Sequence, residues 1–261
     1  MRCKTCCLRI FRILILGAFV SLSWGAQTEI DKAAKYTERG MRELEAGNAG
    51  RAEEFFLKSI RLVREYPDAH IGLGHLAMQA GNIEEALSEY EQARDGYGVL
   101  GARLLNIMMT RYQEQKNRIP ELQQRINLIR SGDIRLTENE KRVQIQDLEM
   151  KIRDLQTMSE PSSQTISEPP GEVFFRIGSA LARLGRWDEA VANLETCTAK
   201  SPTFAQAFSN LALAYWRVGR HDDALRSLDK AEELGLPPNP RFRSDIERSK
   251  AKSIPAVSGK T

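Results

Sequence analysis

The sequence predicts an all-α protein: a right-handed helix-turn-helix repeat solenoid in two repeat pairs separated by a helical insert. Three observations carry that expectation. Residues 171–204 slide onto 205–238 with Phe174 on Phe208, Ile177 on Leu211, Ala180 on Ala214, Gly185 on Gly219, Ala190 on Ala224 and Leu194 on Leu228. The same 34-residue offset lays Ala46, Gly47, Asn48 and Ala52 onto Ala80, Gly81, Asn82 and Ala86. Within each unit the apolar residues recur at helical spacing, and no stretch reads convincingly as a strand. A fixed period of this length marks a stacked array.

Residues 1–26 read as a secretory signal peptide. Arg2, Lys4, Arg9 and Arg12 precede an apolar run from Ile13 to Leu22, and small residues follow. Ser23 and Gly25 suit the small pair before a cut near Gly25 or Ala26. Residues 13–26 are short for a span, which needs about 20 apolar residues. An exported protein, periplasmic or secreted, is therefore expected, with an uncleaved membrane anchor through 13–26 as the alternative. The leader holds four of the 38 basic residues and none of the 35 acidic ones, so its loss takes the net charge from +3 to −1. With no clustered positive face, nucleic acid is not an expected partner. Cys3, Cys6 and Cys7 would leave with the leader, and Cys197 remains as a packed apolar thiol with no partner for a disulfide.

Four repeat units follow, a pair over 27–97 and a pair over 171–238. In the third, Phe174, Ile177, Ala180 and Leu181 share one helix face, Gly185 ends that helix, and Asp188 and Glu189 open the next. Ala190, Leu194 and Cys197 form the second helix's inward stripe, and Pro202 stops it. Gly178 and Ala190 must be small because the two helices cross closely there. These residues resemble the tetratricopeptide repeat. Phe208, Leu211, Ala212, Tyr215, Gly219, Ala224, Leu228 and Ala231 repeat the pattern in the fourth unit. Leu73, Gly74, Gly81, Ala86, Tyr90 and Ala93 carry it in the second. The first is weaker, with Tyr36, Gly40, Gly47, Ala52, Phe56 and Ser59.

Residues 98–156 form the insert. A helix over 98–117 places Leu105, Met108 and Tyr112 on one face, and Pro120 opens another carrying Leu122, Ile126 and Ile129; this pair could be a degenerate repeat. Ser131-Gly132-Asp133 breaks it. Thr137 and Glu140 then read as a capping box, and Ile145, Leu148, Ile152 and Leu155 keep coiled-coil spacing for two heptads. Residues 157–170 read as a flexible linker, 239–253 as a capping helix bearing Phe242 and Ile246, and 254–261 as a disordered tail. A repeat array needs about three units. Either the insert supplies missing layers to one pair, or the two pairs stack through it.

The resemblance implies binding rather than chemistry, with a peptide or protein held on the concave face lined by the first helix of each unit. Its ligand-facing positions fall on Glu172, Phe175, Arg176, Ser179, Ala182 and Arg183, and on Gln206, Ser209, Asn210, Leu213, Trp216 and Arg217. In the N-terminal pair they fall on Thr37, Met41, Ile71, His75, Met78 and Gln79. Phe175 and Trp216 would anchor apolar groups, while Arg176, Arg183 and Arg217 would orient an acidic or carboxylate-bearing segment. Of the positions that clamp chaperone carboxylates, Asn210 alone matches. No cofactor, metal site or enzyme activity is expected: the chain has three histidines, and His70 and His75 lie about 140° apart around a helix. The alternative is an envelope scaffold that self-assembles through the heptad helix.

Overall fold

The computed structural model describes residues 28–162 and 168–253. The expected leader, the expected tail and residues 163–167 of the expected linker lie outside them. Two compact units emerge. One joins Glu29–Val99 to the chain from Glu168 onward, and the other is built on Leu100–Ser167.

The larger unit is the repeat array. α1 spans residues 28–45, α2 Ala49–Leu62 and α3 Pro67–Ala80. The first part of α4, a helix running Ile83–Lys116, completes the N-terminal pair. α7 (Gly171–Arg183), α8 (Trp187–Lys200), α9 (Ala205–Arg217) and α10 (His221–Glu233) form the C-terminal pair, and α11 (Pro240–Ser253) packs on α10. Each turn between paired helices is closed by a glycine in the left-handed region, with Gly81 at φ 84° and Gly185 at φ 74°. A side chain with Cβ would be strained there.

The helix crossings explain the small residues. A Cβ on Gly178 would stand 2.7 Å from Leu194 Cγ, and one on Gly74 would stand 2.5 Å from a ring carbon of Tyr90. The backbones approach this closely so that Leu194 and Tyr90 are buried. Removing such large side chains from water contributes about 1.5–3 kcal/mol each.

Ala77, Ala86, Leu87 and Tyr90 of the N-terminal pair share one continuous core with Val173, Ile177, Leu181 and Leu194 of the C-terminal pair. Both sequence expectations for the junction therefore need correction. The pairs stack directly, neither through the insert nor completed by it, because the apolar edge of α3 and α4 is complementary to α7. Four repeats then exceed the three that a stable array needs.

The smaller unit holds the rest of α4, α5 (Ile119–Ser131) and α6 (Glu138–Thr157). No break separates residues 83–97 from 98–116. Gly96 sits inside α4 because the chain passes close by, and a Cβ there would meet the Glu65 carbonyl at 2.5 Å. On this stretch Ile107 is buried and Met108 is exposed, so the buried face is rotated from the expected one. Gly132 ends α5 at φ 86°. Thr137 caps α6 reciprocally with Glu140: the Glu140 N–H donates to the Thr137 hydroxyl at 3.3 Å, and the Thr137 N–H donates to the Glu140 carboxylate at 2.8 Å.

The heptad stripe turns inward. Leu148 and Ile152 are buried against Ile126 and Ile129 of α5, with Ile145 packed alongside. The surface that a self-assembling coiled coil would need is thus already covered within the chain.

Candidate functional site

The junction between the second and third repeats opens into a cleft of about 530 Å3, wholly within the larger unit. α3 contributes His75 and Met78, and α7 contributes Phe175, Arg176, Ser179, Ala182 and Arg183. Asn210 and Leu213 come from α9, Tyr90 from α4 and Trp187 from the start of α8. Helical spacing explains the α7 set: positions three and four apart share a face, which the array turns toward the cleft.

Arg176 organises the floor. Its guanidinium donates to His75 Nδ1 at 2.9 Å and pairs with the Glu172 carboxylate. The Tyr90 phenol lies close to its charge. Arginine cannot accept a hydrogen bond, so His75 Nδ1 offers its lone pair and the imidazole is neutral. Burial, followed by the Arg176 charge, holds the His75 pKa below its ordinary value. Burial likewise pushes the Tyr90 phenol up, against the pull of Arg176. The Arg176 Nε is buried without a partner.

Arg183, by contrast, is exposed at the cleft and forms no ion pair among the described residues. Asn210 donates to the Ser179 hydroxyl at 2.9 Å, tying α9 to α7. Phe175 packs on Phe204 with ring centroids 4.7 Å apart. Just outside the cleft, the Arg217 guanidinium lies 5.1 Å from the centre of the Trp187 ring and 5.1 Å from that of Trp216. Stacking of this kind contributes about 0.5–1 kcal/mol at an exposed site.

The structure thus brings together His75, Met78, Phe175, Arg176, Ser179, Arg183, Asn210 and Leu213. Other expected groove residues fall elsewhere. Thr37 is buried, donating to the Ser59 hydroxyl at 2.9 Å, which in turn donates to the Ala33 carbonyl. The small Ser59 side chain on α2 leaves room for that inward turn. Trp216 turns to α11, where its indole N–H donates to the Ser249 hydroxyl at 3.1 Å and its ring meets Phe242 edge to face. Among the described residues, α11 covers this face. Ile71 packs into the shared core, Met41 is exposed away from the cleft, and Ser209 and Arg217 stand outside its wall.

Tyr90 and Trp187 were missed. Tyr90 reads as a buried repeat residue, and its phenol reaches the cleft only because the pairs stack directly. Trp187 starts a second helix, so positions counted along the first helix cannot find it. His70 sits apart from the cleft with both ring nitrogens engaged, Nδ1 with Glu89 at 2.7 Å and Nε2 with the Arg64 carbonyl at 2.8 Å. Cys197 is buried, and burial pushes its thiol up to about 11.

Residues 37–98 match the family model described as Tetratricopeptide repeat, and residues 147–248 match the one described as Bacterial transcriptional activator domain. The chain carries tetratricopeptide repeats, on that match and on its own helix-turn-helix geometry. No curated protein matches it in sequence. Similar solved structures include YrrB, described as a TPR protein with an unusual peptide-binding site, at 20% identity and TM-score 0.32, covering 85% of this chain and 97% of that one. A thermophilic TPR protein from Thermus thermophilus aligns at 19% identity and TM-score 0.34, covering 83% and 98%. The type IV pilus biogenesis factor PilW aligns at 14% identity and TM-score 0.38, covering 85% and 87%.

Proposed function

We propose that the chain is an exported, non-enzymatic adaptor that binds an extended peptide or protein segment in the cleft between its second and third repeats. One observation carries the reading: an exposed Arg183, with no ion pair among the described residues, stands beside Phe175 and Trp187 in a preformed concavity. Such an arginine suits an acidic side chain or a terminal carboxylate, which it can hold bidentately. Phe175, Met78 and Leu213 offer apolar area for a neighbouring side chain. Aromatic and arginine groups in such a setting dominate binding energy. Because the buried area is small and the segment must be ordered, affinity should be roughly micromolar.

Export rests on the leader of residues 1–26, and N-terminal sequencing of the mature protein tests it. Among the described residues no helix is long and apolar enough to cross a membrane. The binding reading is tested by a crosslinking pull-down from the host's envelope fraction. Wild type is compared with a Phe175→Ala, Arg183→Ala, Trp187→Ala variant of unchanged helicity. A partner captured by wild type and lost from the variant supports the cleft; a partner retained by both refutes it.

A further inference from the structure

A second groove lies within the N-terminal pair, between α2 and α4 and floored by α3, with a volume of about 580 Å3. The two repeat pairs differ in the side chains that would close it. The offset that carries Gly47 onto Gly185 and Gly81 onto Gly219 carries Leu57 onto Glu195, Ala77 onto Tyr215 and Asn82 onto Arg220. In the C-terminal pair those three side chains interlock. The Tyr215 hydroxyl donates to Glu195 at 2.6 Å, Arg220 pairs with Glu195 at 3.2 Å, and the Arg220 guanidinium covers the Tyr215 ring at 4.2 Å. In the N-terminal pair they are replaced by an exposed leucine, an alanine and a short amide. The bridge is gone and the groove stays open.

We propose that this groove docks a partner segment presenting one large apolar side chain flanked by lysine or arginine. The apolar requirement comes from the floor, where Leu73, Leu76 and Ala77 lie beneath Leu57, itself 39% exposed. The basic requirement comes from the rim: Glu53, Glu85 and Glu89 line it, and no lysine or arginine does. Glu89 is committed to His70. Glu53 has no ion pair among the described residues, and Glu85 accepts only a 3.1 Å bond from the Asn82 amide. Two carboxylates are therefore available to steer and orient a cationic segment. This site shares no residue with the cleft of the proposed function and opposes it in charge, so the two select different ligands.

The test uses the fluorescein-labelled peptide Lys-Lys-Phe-Leu-Lys-Lys, with Glu-Glu-Phe-Leu-Glu-Glu and Lys-Lys-Gly-Gly-Lys-Lys as controls, titrated by anisotropy at low salt. The first peptide should bind at least about tenfold more tightly than either control. Amide shifts in a 15N spectrum should cluster on Ala49–Leu57 and Gln79–Glu89. Transplanting the closing trio as Leu57→Glu, Ala77→Tyr and Asn82→Arg should abolish binding. Glu53→Gln with Glu85→Gln, which leaves the core untouched, should weaken it at least about fivefold. Equal binding of the acidic control, unchanged binding by the double glutamine variant, or shifts mapping to α7 would each overturn the proposal. So would concentration-dependent self-association lost on closing the groove, which would assign it to a second copy of the chain.

Discussion

Arg176 of α7 donates a 2.9 Å hydrogen bond to His75 of α3, joining residues 101 positions apart across the junction of the two repeat pairs. The bond demands a neutral imidazole, so the wall of the cleft is tied to a titrating group.

Acid should loosen this junction. Burial and Arg176 lower the His75 pKa in the folded state. The unfolded chain therefore takes up the proton first, near the ordinary value of about 6.5. Stability is complete above that value and falls as pH drops through the folded pKa. Thermal melts should show His75→Gln, which keeps an acceptor for Arg176, losing less stability than wild type between neutral and mildly acidic pH. Parallel losses would disprove the linkage.

His70 should act in the opposite window. Burial disfavours its charge, yet the Glu89 carboxylate and the Arg64 carbonyl outweigh burial and raise the pKa. That stabilisation is complete below about 6.5 and disappears as pH rises through the folded value. Glu89→Gln should cost about 1–3 kcal/mol at acidic pH and less at alkaline pH. Urea denaturation across pH reads both.

Gly178→Ala should destabilise the array by about 1–3 kcal/mol, because the added methyl meets the buried Leu194 side chain. Gly98→Ala, inside α4 where an added Cβ meets nothing within 4 Å, serves as the control for the gain in helix propensity. Equal effects from the two substitutions in denaturant titrations would show that the crossing tolerates the methyl.

Thr137→Ala should cost the smaller unit about 1 kcal/mol by removing the cap of α6. Hydrogen exchange should quicken over α5 and α6 and stay unchanged over α7–α10. Sedimentation should remain that of wild type for Ile145→Ser, since the heptad stripe packs on α5.

Local chemistry made much of this architecture legible. Gly185, Gly178 and the Thr137–Glu140 pair each obey rules spanning a few residues, and the 34-residue offset amplifies them by repetition. The site was legible only where the repeat frame is regular, as for Phe175, Arg176, Ser179 and Arg183. Thr37 failed because its orientation depends on Ser59, 22 positions away. Trp216 failed because α11, outside the repeat frame, covers its face. Direct stacking of the pairs left no local trace, since it depends on two apolar edges fitting across the insert.

Synthesis meets these edges in the wrong order. A ribosome completes α3 and the first part of α4 long before it reaches α7, and at about 5–20 residues per second the delay lasts seconds. During it Ala77, Ala86 and Leu87 lack the C-terminal pair's share of their common core. The nascent chain is therefore a half-built stack with a sticky end until its complement emerges. Protease digestion of chains stalled before and after α7 would show whether that window closes when α7 appears.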